Sequence, residues 1–236
     1  MKEVALLVPI CSYNNPQGKL NDQHFVKIFL DTLLTQKYDY KIRIYVGYNN
    51  DDPIYSNVDH RESIQNRINE IENIHISWKE FGEEIKGKPT WIWNALARHA
   101  IVNGYEYMYA CGDDISFPKD SGWIGRMIKK LKSTNNIGIA GGDSGNPNLP
   151  LTQFMIHKNH YDLFSWIFPP MIHNWFCDNW IQEVYPKAYV HYIPDIKVLN
   201  CGGDPRYVPK DDRKLCGILI RRYRPTIIHR LSLIEP

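Results

Sequence analysis

The sequence predicts an α/β fold built on a mostly parallel, Rossmann-type sheet with helices on both faces. Three observations lead there. The chain opens on a short unbroken apolar run, Val4 to Ile10, which reaches a proline at its end and has the pattern of a strand buried on both faces. Within residues 1–140, runs of this kind alternate four times with segments whose apolar residues fall at helical spacing. Three of the strand ends carry polar clusters, and in open α/β sheets ligands sit beyond the carboxyl ends of the strands.

The elements follow in order. After the first strand comes a polar loop, Cys11 to Asn15. Phe25, Ile28, Phe29, Thr32 and Leu33 then share one helical face. Lys41–Tyr48 is β-branched and aromatic, a second strand that runs into Asn49-Asn50-Asp51-Asp52-Pro53. Ile64, Ile68 and Ile71 mark a second helix, and a short strand follows around Ile74–Trp78. Trp93, Leu96, Ala97, Ala100 and Ile101 repeat the helical spacing, with Asn103-Gly104 as the stop signal. Tyr105–Cys111 is a strand that ends directly in Gly112-Asp113-Asp114. Ile124, Met127, Ile128 and Leu131 make a further helix, and Asn136–Ala140 a further strand.

From Gly141 the pattern changes. Gly141 to Pro147 is a glycine-rich loop, Leu151–Ile156 reads as a strand, and Trp175–Val184 as a short Trp-rich helix. Lys187–Leu199 is β-rich, and the basic stretch Arg221-Arg222-Tyr223-Arg224-Pro225 reads as a solvated strand. No repeat or linker divides the chain, so residues 1–236 are expected to form one domain. In it, 141–236 is a smaller half fused to the sheet of 1–140.

Composition narrows the function. With 28 basic and 26 acidic residues the net charge is +2, which gives no electrostatic footprint for nucleic acid. The longest apolar runs are too short to span a membrane, and the N-terminus lacks the flanks of a signal peptide. Cys11, Cys111, Cys177, Cys201 and Cys216 are scattered, with no CxxC pair. A disulfide framework or structural zinc site is therefore not expected, and a reducing, cytoplasmic setting is.

The sharpest chemical signal is Asp113-Asp114. Two adjacent carboxylates repel one another, and a hard divalent cation relieves that repulsion. Oxygen ligands of this kind suit Mg²⁺ or Mn²⁺ carrying phosphate and water. The plainer alternative is that the pair caps the next helix.

Here the sequence resembles a known family. Asn94, Ala100 and Gly104-Tyr105-Glu106-Tyr107, followed by Gly112-Asp113-Asp114, are similar in order and spacing to the signature of nucleotide-sugar glycosyltransferases of the GT-A fold. The segments Thr152-Gln153-Phe154 to His157, Phe168-Pro169-Pro170 and Asn174 to Trp180 resemble that family's acceptor-side half. Together the resemblance covers roughly residues 3–185.

It implies a nucleoside diphosphate sugar donor held by Pro9, Asp51 or Asp52, Asn94 and Asp113. It also implies a Mn²⁺ or Mg²⁺ ion on Asp114, with His191 or His229 completing its shell. Asp178 would be the base of an inverting reaction on a glycan or glycoprotein hydroxyl, its carboxyl raised by Trp175, Phe176 and Trp180. Arg221, Arg222 and Arg224 are candidates for the diphosphate. The usual motif is Asp-x-Asp, whereas here Cys111 and Gly112 precede an adjacent pair. That leaves Asp114 for the metal and Asp113 for the ribose side.

Each of these residues also has a plain reading. Asp-Asp-Pro is a turn signal, Asp178 an N-terminal helix residue, each His a surface residue, and Trp175 and Trp180 core. Lys86-Gly87-Lys88-Pro89 lacks the spacing and the Ser/Thr of a P-loop. A nucleotidyltransferase would carry a Gly-rich, Arg-containing loop where Cys11-Ser12-Tyr13-Asn14-Asn15-Pro16 stands, and the chain is too short and too weakly basic for a polymerase. The remaining alternative is a non-catalytic carbohydrate- or nucleotide-binding protein on the same fold.

Overall fold

The structure is a computed structural model that describes residues 2–13, 17–146, 149–203 and 206–233. Asn14, Asn15 and Pro16 of the first polar loop, and Pro147 of the glycine-rich loop, lie outside the described residues. In chain order the strands are β1 (Lys2–Pro9), β2 (Tyr40–Asn49), β3 (Ile74–Phe81), β4 (Tyr107–Ala110), β5 (Ile115–Ser116), β6 (Ile139–Asp143), β7 (Phe154–His157), β8 (Val190–Lys197) and β9 (Leu199–Asn200). The helices are α1 (Asp31–Leu33, entered from a π-helical turn over Phe25–Leu30), α2 (Val58–Asn69), α3 (Pro89–Val102), α4 (Trp123–Lys132), α5 (Lys158–Phe164), α6 (Cys177–Val184) and α7 (Arg213–Ser232).

Val4 to Val8 of β1 are wholly buried, as an apolar run without alternation predicts for a strand covered on both faces. β1 pairs in parallel with β2 on one side and β4 on the other, with Leu6 opposite Ile44 and Tyr109. β3 extends the parallel array beyond β2, and the large sheet runs β3-β2-β1-β4-β7-β6-β8.

Alternate residues of β1 feed two cores. Leu6 and Val8, with Ile44 and Val46 of β2, pack against Phe25, Phe29, Ile64, Ile68, Trp123 and Met127. Ala5 and Leu7, with Tyr45, pack against Leu96, Ala97 and Ala100 of α3 and against Trp180 and Ile181 of α6. Full burial of a leucine of this kind is worth about 1.5–3 kcal/mol. Gly47 makes the β2–α3 contact close, since a Cβ there would come within 2.3 Å of Ile92 Cγ2.

The sheet is mostly parallel, as expected, with one antiparallel strand: β7 runs against both β4 and β6 and separates them, while β6 and β8 pair in parallel. One expectation is corrected. The basic C-terminal stretch is a helix, not a strand. In α7, Cys216, Leu219, Ile220, Ile227 and Leu231 are buried at helical spacing, and Pro225 sits on the exposed side. The hydrogen bond that Pro225 cannot donate is lost on the side open to water, so the helix runs through it. Among the described residues, no helix is long and apolar enough to cross a membrane.

Candidate active site

The carboxyl ends of β1, β2 and β4 open into a cleft of about 510 Å³, within the range of small-molecule sites. Pro9, Ile10, Cys11 and Tyr13 form its wall after β1, Gly112, Asp113 and Asp114 its wall after β4, and Trp175 to Asn179 the side supplied by α6. Pro9, Asp113, Asp114 and Asp178, singled out in separate stretches of sequence, therefore line one cavity.

The wall after β1 is fixed by Asp52. Its buried carboxylate accepts from Ser12 N at 2.8 Å, Ser12 Oγ at 2.7 Å, Ile54 N at 3.0 Å and Tyr55 N at 2.8 Å. With three donors on Oδ1 and one on Oδ2, Asp52 ties the β1 loop to the β2 loop, wholly buried and absent from the cleft lining. Its neighbour Asp51 reaches the cleft through partners, pairing with Lys86 Nζ at 2.5 Å and accepting from the Tyr13 hydroxyl. Hydrogen bonds from Lys86 and Tyr13 hold the Asp51 carboxyl below its ordinary value. Lys86 also stands 4.3 Å from the centre of the Tyr13 ring, which fixes that ring at the entrance. Cys11 is half-buried, and desolvation pushes its thiol up to about 12, so it is no thiolate nucleophile at neutral pH.

Trp93 of α3 stitches the strand ends together, its Nε1 donating to Leu7 O at 3.1 Å and Cys111 O at 3.3 Å. Beyond them, Asp113 is buried and held in a two-pronged ion pair by Arg206, with Nη1 to Oδ2 at 2.6 Å and Nη2 to Oδ1. The same Nη2 reaches Asp114 Oδ2 at 3.3 Å. Burial, then the charge of Asp113, raises the Asp114 carboxyl above its ordinary value. A glycine on each side makes room for Asp114, since a Cβ on Gly202 would lie 2.0 Å from Oδ2 and one on Gly112 2.6 Å from Oδ1. The small β5–β9 sheet carries the Gly202 segment over Asp114, and Cys201 N donates to Asp114 O at 2.8 Å.

On the opposite wall, Asp178 lies in the first turn of α6, accepting from Asn179 N at 2.9 Å. Burial raises its carboxyl above the ordinary value, as the flanking aromatics predict, and no positive charge offsets that. The turn into α6 is strained, because Phe176 has φ of 69°, a left-handed conformation that a non-glycine residue rarely takes. Asn174 braces the rim, donating to Gly87 O and Val208 O at 3.1 and 3.2 Å and accepting from Trp175 N and Lys210 N at 2.7 and 3.1 Å.

Several expected residues lie elsewhere. The side chain of Asn94 is committed to Ile167 N, Phe168 N and Phe168 O, so it anchors the 167–168 backbone and is absent from the cleft lining. His191 bonds to Thr134 Oγ1 at 3.1 Å on β8, three strands from β4. His229 is exposed, 16 residues along α7 from Arg213, about 24 Å at the helical rise. Neither histidine meets Asp114. Arg221 and Arg222 are exposed on α7, and Arg224 donates to Glu183 O, so none of them lines the cleft. Trp180 is wholly buried core, whereas Trp175 is 46% exposed at the cleft mouth.

No family model and no curated protein sequence matches the chain. Solved structures do. S. aureus TarS superposes over 93% of the chain with a TM-score of 0.59 at 13% identity. The chain has the GT-A-like fold of TarS. It spans 39% of that TarS chain and 65% of TarS 1-349, the latter solved in complex with UDP-GlcNAc and matching with a TM-score of 0.57 at 15% identity. A cytidylyltransferase from Leptospira borgpetersenii serovar Hardjo-bovis matches with a TM-score of 0.52 at 12% identity, over 85% of this chain and 82% of its own. In GT-A-like folds of this kind, the cleft described above lies at the carboxyl ends of the strands, where open α/β sheets place their ligands.

Proposed function

We propose that the chain is a nucleotide-sugar glycosyltransferase that moves a sugar from a nucleoside diphosphate donor to a hydroxyl of a glycan or glycoprotein acceptor, with inversion. The observation that carries the reading is the shared cleft. It holds an acidic pair after β4 on one wall and, on the other, a single carboxylate that burial raises above its ordinary value. The UDP-GlcNAc complex of TarS supports a uridine nucleotide as the donor.

The donor end fits the walls after β1 and β4. The Tyr13 ring, held by Lys86 and Asp51, offers a face for the base beside Pro9, and Asp113 faces the ribose side. Lys88 and Pro89, at the start of α3, border the same cleft, so the positive end of that helix lies towards a diphosphate. The acceptor enters by Trp175, whose exposed ring suits the flat face of a sugar. Asp178 takes the proton of the acceptor hydroxyl as that oxygen attacks the anomeric carbon and the bond to the diphosphate breaks.

Among the described residues, no three His, Cys, Asp or Glu side chains converge on a metal position. Asp113 and Asp114 nevertheless suit a divalent ion that keeps water and phosphate as its other ligands, with glycines in place of larger side chains on both sides of Asp114. Bound there with the donor, Mn²⁺ or Mg²⁺ would neutralise charge on the departing diphosphate. One observation favours a second reading, metal-independent transfer: Arg206 already places a fixed positive charge on both carboxylates.

Thermal unfolding with UDP, GDP, CDP and dTDP, each with Mn²⁺ and with EDTA, tests the donor site. A nucleotide at 100 times its Kd adds about 2.7 kcal/mol, roughly 5–10 °C for a chain of this size. A UDP shift only with Mn²⁺ supports the metal-dependent reading, and an equal shift in EDTA supports the Arg206 reading. No shift with any nucleotide sinks both. Asp178→Asn should keep the nucleotide shift and lose transfer by about 10²–10⁴-fold. Unchanged transfer would remove Asp178 as the base.

A further inference from the structure

Helix α7 packs one face on the core and leaves the other uncovered. Its buried side is Cys216, Leu219, Ile220, Ile227 and Leu231. Its outer side bears Lys214, Ile218, Arg221, Arg222, Ile228 and His229, which fall on one stripe at helical spacing. Ile218 is 52% and Ile228 53% exposed. The helix has no Asp or Glu, and it carries six Lys and Arg residues in all. The chain totals 28 basic and 26 acidic residues, so with six cations on one helix the remainder is net negative. Among the described residues, none of these six forms an ion pair with a carboxylate.

We propose that α7 docks the protein flat on an anionic lipid surface. Cations alone would suit any polyanion. What selects a bilayer is the pair of exposed isoleucines within the cationic stripe, since apolar side chains can enter the headgroup boundary while lysine and arginine hold the phosphates. A nucleic acid would gain nothing from Ile218 and Ile228, and the net-negative remainder of the chain disfavours wrapping by a polyanion. Pro225 fits the same role. It lies on the outer side, so the carbonyl it leaves unpaired, that of Arg221, is at the wet interface and not in the core. α7 also begins beside the cleft mouth. Asn174 holds both the Trp175 and the Val208 backbone there, and both side chains are exposed, Val208 at 88%. The inference does not depend on the transfer reaction.

The experiment is co-sedimentation of the full chain with vesicles of phosphatidylcholine alone and with one third phosphatidylglycerol. Binding is expected only to the anionic vesicles, with release at high salt. Each charge removed should weaken it about fivefold, so Lys214→Gln/Arg221→Gln should lose about 25-fold. Ile218→Ser/Ile228→Ser should lose binding while keeping every charge. All four positions are exposed, so the variants should keep the wild-type Tm, and the salt dependence of the unmodified protein gives the electrostatic answer without a variant. No binding to anionic vesicles would overturn the proposal, as would equal binding by the charge variant. Tight binding to heparin or duplex DNA that the isoleucine variant retains, with vesicle binding also unchanged, would reassign the face to a polyanion and overturn the lipid assignment.

Discussion

Asp113 meets Arg206 through both carboxylate oxygens, and this pairing governs what any cation can do at the end of β4. Arg206→Ala would leave the buried Asp113 and the half-buried Asp114 beside it without their arginine counter-charge, a loss of about 3–5 kcal/mol for a broken buried pair. Calorimetry should show a lower Tm for Arg206→Ala, and Mn²⁺ should recover part of it in the variant and little in the wild type. An unchanged Tm would mean that the pair contributes nothing to the fold. Arg206 was not legible in the sequence, because an arginine some 90 residues from Asp113 has no spacing to mark it. The acidic pair and Asp178 were legible, because strand-end position and aromatic neighbours are local properties of the sequence. His191 and His229 were inferred from the resemblance alone, and no local signal bound them to the site.

His160 belongs to the same scale but to the core. Its ring bonds to the Tyr185 hydroxyl at 2.6 Å and to Ile167 O at 3.0 Å, and burial lowers its pKa to about 4. Between the ordinary value of about 6.5 and 4, the unfolded chain takes up a proton that the folded chain refuses. Stability therefore falls by about 3 kcal/mol as pH drops through that window, and it is fully present above it. His160→Gln should flatten the fall in Tm between neutral pH and about 4.5, and a slope as steep as wild type would place the sensitivity elsewhere.

At the level of elements, local patterning located the strands and helices, and the errors have physical causes. The run Tyr105–Cys111 shortens to Tyr107–Ala110 because Tyr105 and Glu106 are still leaving the α3 turn. Ile71 continues the apolar spacing of α2 but lies past its end at Asn69. α7 was hidden by Pro225, whose position on the exposed face a linear reading does not display. The turn into β6 depends on Gly138, with φ of 113° and room for no Cβ, since one would lie 2.0 Å from Tyr189 O. Gly138→Ala should cost at least about 2 kcal/mol, roughly 4–8 °C in Tm, by pushing β6 off the chain entering β8. A shift below 1 °C would show that this backbone yields freely.

For the molecule as a whole, the alternation of strands and helices made the α/β class legible. Strand order was not, because residues 1–140 alone give no reason for a later strand to enter between β4 and β6. Hydrogen exchange tests how the sheet is joined. Amides of β6 and β8 should open together with those of β7, separately from β1, β2 and β3, and uniform protection across all seven strands would show that the sheet opens as one. The antiparallel β7 is the keystone of the sheet, which gives the protein a schedule as it is synthesised. β1 to β4 can close on one another as soon as they clear the ribosome, since β2, β3 and β4 each find a partner among earlier residues. β6 leaves before β7 and has no neighbour to accept it until residue 157 has emerged, so for that interval its edge is bare and open to chaperones or to a second nascent chain.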